Sequence, residues 1–242
     1  KIDLTFYYAE VWRKSELQIG HCRPPNRPSR PSAPRLCAPR EMPKRSTGPK
    51  GRIALLHALT HIELNAIDLA WEIIALFTSS NMPDKFYDDW ILVAKEEAKH
   101  FQILEEKLNS WGTAYRDLPA HDGLWETAAV TGESLMARLA LIPMTLEARG
   151  IDTTPSLSQK VRQSGDRETA NILDMIYGDE ISHLAIGVKW FEFLCARESK
   201  APIEEYKHLL EQYFRGAPKG PFNIDAREKA GMKALYIEPW LN

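Results

Sequence analysis

From residue 51 to about residue 198, apolar positions recur at three- and four-residue intervals with little strand-like alternation, which predicts helices separated by breakers. The first is expected over 51–77, after the start signal Ser46-Thr47-Gly48-Pro49 and before Asn81-Met82-Pro83. The second runs over 84–111 and is stopped by Gly112. The third starts near Asp122 as N-cap and ends at Arg149, with Gly150 as its C-terminal cap. The fourth covers 166–198, preceded by a short helix at 156–164 and a break at Gly165. One more helix is expected at 203–214, followed by a Gly/Pro-punctuated tail.

The link between the second and third helices, residues 112–121, can span roughly 33 Å when extended. That length permits a crossover along a bundle, whereas the other two links suit neighbouring antiparallel helices. Upstream, residues 21–50 hold eight of the sixteen prolines and eight Lys or Arg against one acid. Such a stretch runs extended. Its plainer reading is a strap along the bundle surface; the minority reading is a basic arm for phosphate. The chain therefore divides into an N-terminal element and strap (1–50), a four-helix bundle (51–198) and a C-terminal helical extension (199–242).

Composition adds little beyond this. With 44% hydrophobic and 26% charged residues the chain has an ordinary globular balance. A net charge of −2 does not by itself draw in nucleic acid or an anionic membrane. The first twenty residues carry charges throughout, unlike a signal peptide, and no later uninterrupted apolar run suggests a membrane span. Three cysteines without a CxxC pair fit reduced thiols, so the expected setting is cytoplasmic.

The chemistry lies in two Glu-x-x-His motifs, Glu97 with His100 on the second helix and Glu180 with His183 on the fourth. At i and i+3 a carboxylate and an imidazole leave one helix face together and can bind one ion. With 21 Glu and 7 His, chance gives about 0.6 such motifs, so one alone means little. The discriminating feature is upstream: Glu63 precedes Glu97 by 34 residues and Glu147 precedes Glu180 by 33, each on the preceding helix. A third copy, Glu205 with His208, has Asn171 in that place and is discounted.

Two such helical hairpins related by a pseudo-twofold make a bundle with four carboxylates and two histidines pointing inward. Buried carboxylates repel one another and lose their hydration, so the set is tolerable only with cations, and two divalent ions match four carboxylates. A Glu taken singly is usually a solvated helix residue. These, however, interrupt apolar faces: Leu56, Leu59, Ala66 and Ala70 around Glu63, Ala140, Pro143 and Met144 around Glu147, and Leu173, Ile176 and Gly187 around Glu180. Oxygen-rich ligation with one imidazole per ion suits iron, with manganese as the alternative.

Other residues follow from this frame. Asp179 could fix a ligand histidine by a hydrogen bond, or be a surface acid. Tyr177, one turn before Glu180, could touch the centre as a catalytic group, although a core tyrosine is the commoner case. Pro143, one turn before Glu147, should kink or widen the third helix. His57 and His61 point away from Glu63 and read as second-face or interface residues, while Trp71, Trp90, Trp125 and Trp190 read as packing aromatics.

The order Glu, Glu-x-x-His, Glu, Glu-x-x-His resembles that of the ferritin-like di-iron carboxylate superfamily. More closely, HALTHIELNAIDLAWE, EEAKHF, LEARGIDTTP and DEISHLAIG resemble the family catalogued as domain of unknown function 455, over residues 24–232. The resemblance implies an all-α, ferritin-like four-helix bundle with Glu63, Glu97, His100, Glu147, Glu180 and His183 as metal ligands. It does not choose a reaction. The expected function is a di-iron oxidoreductase acting with dioxygen or peroxide on a small-molecule substrate. Iron storage and RNA hydroxylation stand as alternatives, with a homodimer as the assembly considered.

Overall fold

The computed structural model describes residues 1–14, 18–46 and 48–241. Among them the chain is all-α, with no strand beyond an isolated bridge between Leu36 and Ala120. It divides into two compact units, residues 1–125 and 126–242.

The first unit is built on a helical hairpin, α2 (Pro49–Leu76) and α3 (Asp84–Ser110), with α1 (Ile2–Lys14) packed on α3. Gly48 caps α2 and Pro49 takes its first position, where the missing N–H would have had no helical partner. Thr47 of the expected start signal lies outside the described residues. The hairpin closes because each helix offers an apolar stripe: Leu56, Ile67 and Ile73 on α2 meet a set on α3 that includes Phe86, Ala94, Leu104 and Leu108, all buried. An 18-residue window of α2 reaches a mean hydropathy of 1.2, but 72% of that window is buried within the protein.

Residues 21–46 of the Pro-rich segment form no helix or strand apart from one short turn at Pro39–Glu41 and the bridge at Leu36. It is anchored within its own unit. Arg27 pairs with Asp122 at 2.7 Å, Arg30 hydrogen-bonds Asn65 and pairs with Asp68 at 3.4 Å, and Arg35 and Cys37 exchange backbone hydrogen bonds with Ala120. Two of its eight cations are thus met by acids of the same unit.

The second unit departs from the expected third helix. Instead of one helix over 122–149, there is a short α4 (Gly123–Ala129), across which the boundary between the units falls. A turn then leads to α5 (Leu135–Leu141), a π-helical segment (Ile142–Glu147) and α6 (Ala148–Gln163). Ser134 starts α5 by accepting a hydrogen bond from the Ala137 N–H at 3.1 Å.

Gly150 caps nothing, and the expected short helix at 156–164 is the end of α6. The helix passes through Pro155 because the carbonyl that proline cannot bond, that of Ile151, accepts from Asn223 Nδ2 at 3.4 Å. The real cap lies fifteen residues later. There Gly165 takes φ +91° and donates to the Arg162 carbonyl, while Asp166 donates to that of Val161, which closes the end as a Schellman motif.

Asp166 then starts α7 (Arg167–Arg197), accepting from the Thr169 N–H at 3.1 Å, and α7 packs along α6, the π segment and α5. The π segment is the widening expected of Pro143. Proline cannot donate to the carbonyl four residues back, and the helix takes a wider turn rather than a break. Thr145 Oγ1 bonds the Ala140 carbonyl at 2.7 Å and the hydroxyl of Tyr206 on α8 (Pro202–Tyr213) at 2.8 Å, so the distorted turn is satisfied from a neighbouring helix.

The tail is locked onto α6 by α9 (Ile224–Lys229). Asp152, fully buried, accepts Nε and Nη2 of Arg227 at 2.8 and 2.7 Å and the Asn223 N–H at 2.9 Å.

Candidate metal centre

The α2/α3 hairpin brings Glu63, Glu97 and His100 together. Their relative exposures are 5%, 1% and 0%, and one ligand atom of each lies within 4.8 Å of the other two. His100 Nδ1 is 3.3 Å from Glu63 Oε2 and 3.5 Å from Glu97 Oε2. The cause is helical periodicity: Glu97 and His100 share a face of α3 at i and i+3, and that face is the one turned to α2.

Burial and the Glu97 carboxylate push the Glu63 carboxyl well above its ordinary range. Burial also disfavours a charged His100, but the Glu63 and Glu97 carboxylates beside it, as acceptors and as charges, outweigh it and raise the imidazole to about 11. A bound cation would reverse this balance, holding both carboxyl groups ionised and the imidazole neutral. The donor set, oxygen with one nitrogen, suits iron or manganese.

The second unit holds the corresponding residues on α7 and at the end of the π segment. His183 is fully buried on α7, with Nδ1 at 3.7 Å from Glu180 Oε1. Glu147 ends the π segment, half-buried, with Oε2 removed from solvent.

Asp179 is half-buried on α7. Tyr177 is also half-buried, and its hydroxyl accepts a hydrogen bond from Asn223 Nδ2 at 3.1 Å, which ties it to the tail. The discounted pair stays apart from this chemistry: Glu205 binds Lys200 at 2.7 Å, and His208 is exposed. Trp90, Trp125 and Trp190 are core residues, whereas Trp71 is half-buried and donates to Thr5 Oγ1.

His57 and His61 pack on Tyr115 rather than join the Glu63 cluster, as second-face residues do. Both are buried against Tyr115, whose hydroxyl lies 2.6 Å from His61 Nδ1 and whose ring stacks on His57 at 5.3 Å. Burial, then the charges of Arg30 and His57, press His61 down to about 4. Sequence reasoning missed Tyr115, Arg30 and Asp152. Only the i, i+4 spacing of the two histidines hinted at this cluster.

Fold and site define an all-α protein in which a helical hairpin buries a Glu, Glu-x-x-His cluster of metal-ligand type. The chain belongs to the family described as Protein of unknown function (DUF455), whose model matches residues 1–238. It is 41% identical over 217 residues to a Haemophilus influenzae protein described as "Uncharacterized protein", an alignment covering 87% of this chain and 75% of that one. No solved structure matches the chain.

Proposed function

We propose that the two Glu, Glu-x-x-His units close on one another as a ferritin-like four-helix bundle and hold two metal ions, iron before manganese. The protein would then be a di-iron carboxylate oxidoreductase that uses dioxygen or peroxide to oxidise a small organic substrate. The observation that carries this reading is the buried Glu63, Glu97 and His100 cluster, a convergent oxygen-rich donor set with one imidazole. The sequence repeat extends it to Glu147, Glu180 and His183.

When bound, the metal pair would supply redox and Lewis-acid chemistry. The carboxylates hold positive charge in the interior, and each histidine adds a neutral donor once deprotonated. The apolar residues of α2 and α3 keep water from the centre.

Metal analysis of protein purified without added metal should find about two iron ions per chain. A near-ultraviolet band of an oxo-bridged pair should accompany them, and Glu63→Ala or Glu97→Ala should remove at least one ion. A single zinc per chain, or unchanged metal content in both variants, would overturn the assignment. Oxygen uptake without an organic product would keep the metal pair and replace oxidation of substrate by iron storage.

A further inference from the structure

Charge is segregated along this chain. Residues 21–50 carry eight Lys or Arg and one acid, Glu41, a local charge of +7, so with a total of −2 the rest of the chain carries −9. Such asymmetry is the pattern of a chain that meets a polyanion.

The fold leaves most of that positive charge uncancelled. Arg27 and Arg30 are spent on Asp122, Asn65 and Asp68. Arg35, Arg40, Lys44, Arg45 and Lys50 are exposed, and none of the five pairs with an acid among the described residues. The acids of the strap and of the link it pairs with are engaged elsewhere: Glu41 accepts the Ala38 N–H at 3.1 Å, Asp117 accepts that of Ala114 at 2.7 Å, and Asp122 holds Arg27. The helix into which the strap leads, α2, has no acid before buried Glu63.

Residues 35–50 are also pinned at both ends. Arg35 and Cys37 exchange backbone hydrogen bonds with Ala120, and Pro49 opens α2. A row of cations fastened in this way loses less freedom on meeting a partner than a free tail does. Three of the five are arginine, whose planar fork matches two phosphate oxygens. The segment has no Phe, Tyr or Trp to stack an unpaired base, and Leu36 is its one exposed large apolar side chain, too little to anchor it in a bilayer. A duplex backbone, a regular line of phosphates, suits such a row better than the irregular charges of an acidic protein.

We propose that the strap binds the phosphate backbone of a nucleic-acid duplex, without reading its sequence, through Arg35, Arg40, Lys44, Arg45 and Lys50. This surface belongs to the first unit and does not rest on the metal assignment.

The test is fluorescence anisotropy of short labelled DNA and RNA duplexes titrated with the 242-residue chain between about 50 and 200 mM salt. Three to five phosphate contacts give a slope of log affinity against log salt of about −2.7 to −4.5 on DNA. Whichever duplex binds more tightly identifies the source of the phosphates. Combining Arg40→Gln, Lys44→Gln and Arg45→Gln removes only exposed side chains and should make the slope shallower by about 2.7 at unchanged melting temperature. The same change at exposed Arg215, Lys219 and Lys229 of the second unit should leave the slope as it was. No binding of either duplex at the lowest salt, an equal loss in the second-unit variant, or tighter binding to phosphatidylglycerol vesicles or polyglutamate than to both duplexes would overturn the proposal.

Discussion

Gly187 and Gly178 lie on the same helix, α7, and the structure predicts opposite outcomes when each becomes alanine. In a helix interior, Gly→Ala is worth about 1 kcal/mol of stability through backbone entropy and propensity. At Gly178 a Cβ would meet nothing within 4 Å, so Gly178→Ala should realise that gain and raise the melting temperature by about 2–4 °C.

At Gly187 the same Cβ would stand 2.6 Å from Pro143 Cβ and 2.8 Å from its Cγ. A pyrrolidine ring cannot rotate away, and Pro143 sits in the π segment, whose geometry Thr145 and Tyr206 hold. Overpacking of this kind costs about 1–3 kcal/mol, so Gly187→Ala should fall between neutral and about 2 kcal/mol destabilised. The two variants should then differ by about 1–3 kcal/mol in urea denaturation followed by circular dichroism. If Gly187→Ala proves as stabilising as Gly178→Ala, the close packing of α7 against the π segment is wrong.

Two further outcomes follow from buried polar groups. Asp152→Ala strands the guanidinium of buried Arg227 and should cost about 3–5 kcal/mol by chemical denaturation. The double variant Asp152→Leu with Arg227→Met should lose markedly less than the two single losses added together, and strict additivity would refute the pairing. Burial lowers the pKa of His57 below its ordinary 6.5, against smaller raising effects from the Tyr115 backbone and Asp117. A base depressed in the fold contributes stability that is complete above its unfolded pKa and is lost as the pH falls towards the folded one. His57→Gln should therefore flatten the decline in stability between pH 7 and 5, and superimposable profiles for variant and parent would exclude a neutral buried His57.

The residues of the candidate centre were legible because helical periodicity is local. Spacings of 3 and 34 residues place Glu63, Glu97 and His100 on facing sides of two consecutive helices. The ends of α2, α3 and α7 fell within two residues of their expected positions, since each is bounded by proline, glycine or a capping side chain.

The third helix was not legible in this way. Gly150 and Pro155 are breakers by propensity, yet α6 runs through both because Asn223, more than seventy residues away, satisfies the freed Ile151 carbonyl. The turn at Pro143 widens and is held by the hydroxyl of Tyr206, about sixty residues on.

The amino-acid order by itself determined the helical class, the largely irregular course of the Pro-rich strap and the burial of Glu63, Glu97 and His100, because each follows from groups a few residues apart or from a repeated face. Tertiary structure alone decided the wider turn at Pro143 and the burial of His57 and His61 beneath Tyr115. In each of these the deciding hydrogen bond or charge comes from a distant part of the chain.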